Sequence, residues 1–364
     1  MIPLSKNESL FITYAKAIGI ITVLLGHYGW NSMNIYHPYI YHMPLFFLVG
    51  GILMKPIKNY HTWFVSLRDN YIFYVVAWYI IIAAISVILD IYFGTKLNPK
   101  LSDPGHMNFI PFPIKKNMHN NNLFLVAWFL VAYCLVSIFF KNIITHLKSY
   151  SRFWSLTSGL VIGYISISYL SPLYWHDRYW VYNLLCQIGV GYMFMTIGFA
   201  VRPYLKLFNS IPIFLITLNI MLSGVGSGVF HRLDMAWSKY PDGFLIHVIS
   251  SLSGCFGVLF IASFITKSFD SKILKKIGNS TKDIMTMHCL VFVIIDLIMC
   301  QMGYYDVVKI RACKHFVKPY LLTVYLTSGL MAPILARQTI NKVKIILPTI
   351  HPIANIETEH SHIE

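Results

Sequence analysis

Long uncharged apolar runs alternate with short polar segments along this chain. They lie near residues 10–30, 40–55, 70–93, 122–140, 153–171, 180–201, 206–224, 244–266, 283–303 and 319–336. A helix of about 20 apolar residues crosses a hydrocarbon core of about 30 Å. The pattern therefore predicts an all-α, polytopic integral membrane helix bundle of about ten spans over residues 1–346. A polar, disordered tail follows over 347–364. The second run is short and contains Pro44 and Gly50-Gly51, which predicts a tilted or broken span, and the seventh is interrupted by Pro212.

Composition sharpens this picture. Of the 364 residues, 56% are hydrophobic and 12% charged, against about 25% charged in a soluble domain; the mean hydropathy is +0.60. In such a chain a net charge of +15 reads as basic cytoplasmic loops rather than as a nucleic-acid surface. Placing both termini in the cytoplasm puts most Lys and Arg residues inside and leaves the first outer loop, Asn31 to Tyr39, without any. The expected location is the inner (cytoplasmic) cell membrane, with membrane lipid as a partner and nucleic acid as none. The first run lacks an A-x-A-like cleavage site and reads as a retained span. The six cysteines form no CxxC pair and read as small buried hydrophobes, so neither a disulfide framework nor a metal centre is expected. Near the C-terminus His360 and His362 offer at most weak metal contacts on a solvated end.

Ionisable residues inside spans are costly and point to function. Lys16 and His27 lie in the first run, eleven residues apart, almost three turns. They share one helix face roughly 16 Å apart at 1.5 Å per residue. His42 opens the second run on the side to which His27 points. A hairpin between the two runs brings both imidazoles to the outer mouth of the bundle, where a group of ordinary pKa near 6.5 suits general base work.

The segment Lys16-Ala-Ile-Gly-Ile-Ile-Thr-Val-Leu-Leu-Gly26-His27, followed by His42-Met-Pro-Leu-Phe-Phe47, resembles the membrane-bound acyltransferase family three, in particular its fucose 4-O-acetylase-like branch. Arg68 before the third span, Trp128-Phe129-Leu130 in mid-chain, and Gly278-Asn279-Ser280 leading to His288 extend the similarity over about residues 10–336. The chain departs from the family in having Lys16 where arginine is common, Thr13 where an acid is, and Ala127 where many members have histidine. The resemblance implies transfer of acetyl from acetyl-CoA to a hydroxyl of a sugar in an envelope polysaccharide or its lipid-linked precursor. It casts His27 as general base or acyl carrier, with His42 orienting it or stabilising the oxyanion. Lys16, Arg68 and His288 fall on the cytoplasmic, acetyl-CoA side, and no metal is implied. A tunnel is then expected through the bundle, with His27 and His42 at its narrowest point and Trp128 close by.

On the acceptor side, the outer loop Trp175-His176-Asp177-Arg178-Tyr179-Trp180 joins aromatic faces to polar groups, as carbohydrate sites do; an interfacial aromatic belt has the same make-up. His176, Asp177 and Trp128 are the substrate-binding candidates. Asp296 in the ninth run needs a donor that the sequence does not name, and Gly189, Gly191 and Gly198 allow close helix packing. Two transport readings compete: a proton-coupled flippase relaying through His27, His42 and Asp296, and a metal transporter using His27, His37 and His42. No internal repeat supports the first, and no further ligands on the same side are evident for the second.

Overall fold

The computed structural model describes residues 4–29, 36–98, 118–119, 121–146 and 152–346, with side chains to 340. The tail 347–364 and most of the first connection lie outside the described residues. The elements are α1 (Lys6–Tyr28), α2 (Pro38–Leu53), α3 (Tyr60–Phe93), α4 (Ala127–His146), α5 (Arg152–Asp177), α6 (Trp180–Val201), α7 (Ile211–Gly226), α8 (Gly243–Ser268), α9 (Lys272–Asn279), α10 (Thr281–Gln301) and α11 (Leu322–Ile346). π-Turns over Arg68–Ile72 and Ser166–Leu170 interrupt α3 and α5. Among the described residues there is no strand beyond two isolated bridges.

Eight of these helices are long and apolar enough to cross a membrane. Two others, His42–Leu53 within α2 and Ile211–Gly226, are apolar but shorter. They correspond to the two runs in which the sequence places Pro44 and Pro212. Pro44 removes the N–H that would bond the Ile40 carbonyl; the Ser251 hydroxyl donates to that carbonyl instead, at 2.8 Å.

α1 packs against α2, α8, α9, α10 and α11, whereas α6 gathers α2, α4 and α5. α2 is thus wedged between the two groups. Its position is fixed by bare backbone: a Cβ at Gly51 would strike the Met195 carbonyl, and one at Gly198 the Leu48 carbonyl. Small residues at such crossings let backbones approach closely. Gly191 lies against the Phe47 ring and Gly189 against Ser166 in the same way. Of the eight long helices, α6 and α10 are the most enclosed and α3 and α5 the least. Phe73, Ile80, Ile91 and Tyr92 of α3 point outward, an arrangement that suits lipid rather than water.

α1 begins on a capping box. Ser5 Oγ accepts from the Glu8 N–H at 3.2 Å, and the Glu8 carboxylate accepts from the Ser5 N–H at 2.8 Å. Such a cap is worth about 1 kcal/mol. The helix then runs the depth of the bundle, from a Lys6 end to a His27 end.

Candidate functional site

A cavity of about 200 Å³ lies at the His27 end. α1 contributes Val23 and His27, α2 contributes Tyr39, His42 and Met43, and α4 contributes Trp128 and Phe129. The loop between α7 and α8 covers it with Arg232, Asp234 and Trp237, and Cys313 reaches in from the loop after α10.

Two histidines, His42 and His288, are held in defined tautomers. His42 is buried, and its Nδ1–H donates to the Pro38 carbonyl at 2.6 Å. A carbonyl only accepts, so the proton is on Nδ1 and Nε2 keeps its lone pair. His288 repeats the device one helix away, its Nδ1–H donating to the Ile284 carbonyl at 3.0 Å. Tyr39 stands between the two cavity histidines. Its ring is 5.9 Å from that of His27 and 4.9 Å from that of His42, and its Oη is 3.5 Å from His27 Nδ1. The Arg232 guanidinium lies over the Tyr39 ring at 4.1 Å and 3.9 Å from Asp234. Burial pushes the Asp234 carboxyl up, and Arg232 opposes that shift.

Polar networks position the remaining walls. At the end of α3, the Asp90 carboxylate accepts from Thr95 Oγ1 and from the Leu97 and Asn98 N–H groups. Asn98 in turn donates to Asn121 at 3.1 Å, and Asn121 caps the turn that leads into α4 and Trp128. The loop carrying Cys313 is tied at two points. The buried Asp296 accepts from His315 Nδ1–H at 2.8 Å, from the Phe316 N–H at 2.9 Å and from Tyr325 Oη at 2.6 Å. Tyr28 Oη donates to the Lys318 carbonyl and accepts from the Lys318 N–H. Asp296 thus finds the donors that the sequence left unnamed.

The site candidates read from the sequence separate into groups. His27, His42 and Trp128 line one cavity. His288 is brought beside His27, with ring centroids 5.1 Å apart, and not to the Lys16 end where its donor role had been expected. Lys16 is half-buried and lies seven residues, about two turns, below Val23 on the same helix. Arg68 is exposed, pairs with its neighbour Asp69 at 2.7 Å and does not line the cavity. His176 and Asp177 pair with each other at 2.5 Å on the surface, His176 with 86% of its side chain exposed, and neither reaches the cavity. The substrate-binding role given to that pair therefore has no geometric support. Trp175 links the segment to the site's surroundings, donating to the Ser238 carbonyl at 3.1 Å.

Where a tunnel was expected, the described residues enclose separate cavities at the two ends. A second cavity, of about 590 Å³, opens at the Lys6 end beside Lys55, Lys141, Trp63 and Tyr133. Phe129 lines the first cavity and Tyr133 the second, with ring centroids 5.7 Å apart. Phe46 packs against Phe129, and Phe47 against both Phe129 and Tyr133, in the same aromatic cluster.

The sequence did not single out Tyr39, Arg232, Asp234, Cys289 or Cys313. Cys289 directly follows His288, and two adjacent ligand-capable side chains inside a span are a signal in the sequence itself. Arg232, Asp234 and Cys313 arrive on loops distant in sequence, with no spacing to betray them. Compared with protein-family models, curated proteins and solved structures, the chain matches none.

Proposed function

We propose that this protein is a membrane O-acyltransferase of the cytoplasmic membrane. It moves acetyl from acetyl-CoA to a sugar hydroxyl of an envelope polysaccharide or its lipid-linked precursor. The observation that carries the reading is the convergence of His27, His42 and Trp128 on one cavity, from three helices whose sequence motifs resemble those of such enzymes. A sugar hydroxyl is a weak nucleophile until a base takes its proton. The Nε2 lone pair of His42, fixed by the Pro38 carbonyl, is available for that work beside His27. The hydroxyl oxygen forms a bond to the thioester carbonyl carbon as its proton passes to imidazole. The carbon–sulfur bond then breaks, and the imidazolium returns the proton to the CoA thiolate. Trp128 and Trp237 give apolar faces suited to a sugar ring, and Arg232 gives a donor for its hydroxyls or for a carrier phosphate.

Acetyl-CoA enters from the cytoplasmic end in this reading. The cavity beside Lys55 and Lys141 supplies cations for its phosphates, and Lys16 lies on the helix that joins the two ends. The Phe129–Tyr133 layer has to part for the acetyl group to reach His27. The test is to incubate protein reconstituted in lipid vesicles with labelled acetyl-CoA and envelope glycans. Label on the glycan supports acyl transfer. Its absence across acceptors, together with glycan movement across the vesicle wall, favours the flippase.

A further inference from the structure

We infer that His27, His288 and Cys289 form a binding site for a zinc-class transition-metal ion, with Cys313 completing it from the facing loop. The potential ligand atoms of His27, His288 and Cys289 all lie within 4.8 Å of one another. Zinc–nitrogen bonds of about 2.0–2.1 Å and zinc–sulfur bonds of about 2.3 Å at a tetrahedral angle set nitrogen and sulfur roughly 3.5 Å apart. His288 Nε2 and Cys289 Sγ are 3.4 Å apart. Only small side-chain movements would be needed to close the set around an ion.

The outer layer of such a site is already built. A metal-bound histidine almost always gives its other ring N–H to a carbonyl or carboxylate, which fixes the tautomer and aims the lone pair. His288 does this through Nδ1–H to the Ile284 carbonyl. In the tautomer that carries its proton on Nδ1, His27 likewise faces Tyr39 Oη with that N–H and frees Nε2. The fourth group is the Cys313 thiol, which lines the same cavity as His27. It is open to the cavity, so an ion has a path in. Two imidazoles and two thiols suit zinc or cuprous ion and not magnesium or calcium, which take oxygen ligands. These are the same-side thiols that the sequence alone could not bring to His27.

The site shares His27 with the acyl-transfer reading, but its test needs no substrate, so a failure of one is distinguishable from a failure of the other. Full-length, tag-free protein in detergent is titrated with Co²⁺ and then Zn²⁺. The expected result is a tetrahedral thiolate–cobalt absorption at about one equivalent, bleached by Zn²⁺. Cys289→Ser is expected to weaken binding at least tenfold. A His360→Ala/His362→Ala variant is expected to bind as the wild type does, which separates this site from the C-terminal histidines. Should Cys289→Ser fail to fold, the wild type still decides. Zn²⁺ should protect Cys289 from alkylation, read by peptide mass spectrometry, and a chelator should restore its reactivity. Absence of the tetrahedral spectrum, unchanged Cys289 reactivity with Zn²⁺, or a Cys289–Cys313 disulfide in the metal-replete protein overturns the inference.

Discussion

Replacing Asp296 with alanine is expected to release the loop that brings Cys313 to the site. The carboxylate is fully buried and accepts three hydrogen bonds, two of them from the His315 and Phe316 positions of that loop. Each donor left buried without a partner costs about 1–3 kcal/mol. Breaking a buried charged cluster by removing one member costs about 3–5 kcal/mol. Taking 3–5 kcal/mol as the change in the loop's opening equilibrium, and 1.4 kcal/mol per factor of ten, opening rises roughly 10²- to 10⁴-fold. Cys289 is buried and belongs with Cys313 of this loop to the ion site inferred above, so its alkylation rate is the readout of opening. The rate is measured by peptide mass spectrometry on intact protein in detergent. Asp296→Asn provides the graded control. Its remaining oxygen can keep the bonds from Phe316 and Tyr325, which both fall on Oδ1, and only the His315 contact on Oδ2 is lost. That single loss predicts a rise of about 10- to 100-fold. An Asp296→Ala rate within tenfold of the wild type, or equal rates in both variants, would show that Asp296 does not hold the loop closed.

Three further outcomes follow from the same geometry. His27→Ala and His42→Ala are each expected to lower acetyl transfer by about 10²–10⁴-fold with unchanged membrane insertion; near wild-type turnover in a folded variant removes that histidine from the mechanism. Lys16→Ala is expected to raise the acetyl-CoA KM while Lys16→Arg does not, since a cation of either kind can meet a phosphate; an unchanged KM in Lys16→Ala reduces this lysine to a helix anchor. Gly198→Ala drives a methyl into the Leu48 carbonyl, and overpacking of this sort costs about 1–3 kcal/mol. Its thermal midpoint should fall clearly below that of an exposed control such as Gly226→Ala, where a Cβ meets nothing; equal midpoints would show that α2 and α6 separate freely.

What the sequence reveals here follows from which interactions are local. Apolar run length depends only on neighbouring residues, so the helices could be read directly, and Pro44 and Pro212 mark the two short ones. Lys16 and His27 share a face because helix geometry fixes it over eleven residues. That His27 and His42 line one cavity was legible because their helices are consecutive in the sequence. The position of His288 was not, because it depends on how far α10 is shifted along α1. That offset is set where Gly278 lets the chain approach the Thr13 carbonyl, a contact spanning most of the sequence. The place of His176 and Asp177 outside the cavity was not legible for the opposite reason: a polar-aromatic cluster looks alike whether it lines a sugar site or the bundle surface, and only packing separates the two.

Hydrogen-bond capacity also sorts the buried polar groups by what they can do. Asp296 accepts from three donors and has little capacity left for a ligand, which marks it as an anchor. His42 and His288 each spend Nδ1 on a carbonyl of their own helix, four residues back. That bond secures the ring and leaves Nε2 for use, toward the cavity in one case and toward Cys289 in the other. His247 and His315 also keep a buried Nε2 without a partner. They look onto aromatic rings, Tyr240 and Phe194 for His247 and Phe292 for His315. A spare lone pair is therefore not enough, and it must also face space or a second reactive group. Of these four histidines, only His42 and His288 meet both conditions. Each is within two residue contacts of His27, His42 through Tyr39 and His288 directly. The Nε2 of His27 can serve as base or as metal ligand but not as both at once, so an ion held with His288 and Cys289 would take His27 out of acyl transfer and leave His42 as the remaining base.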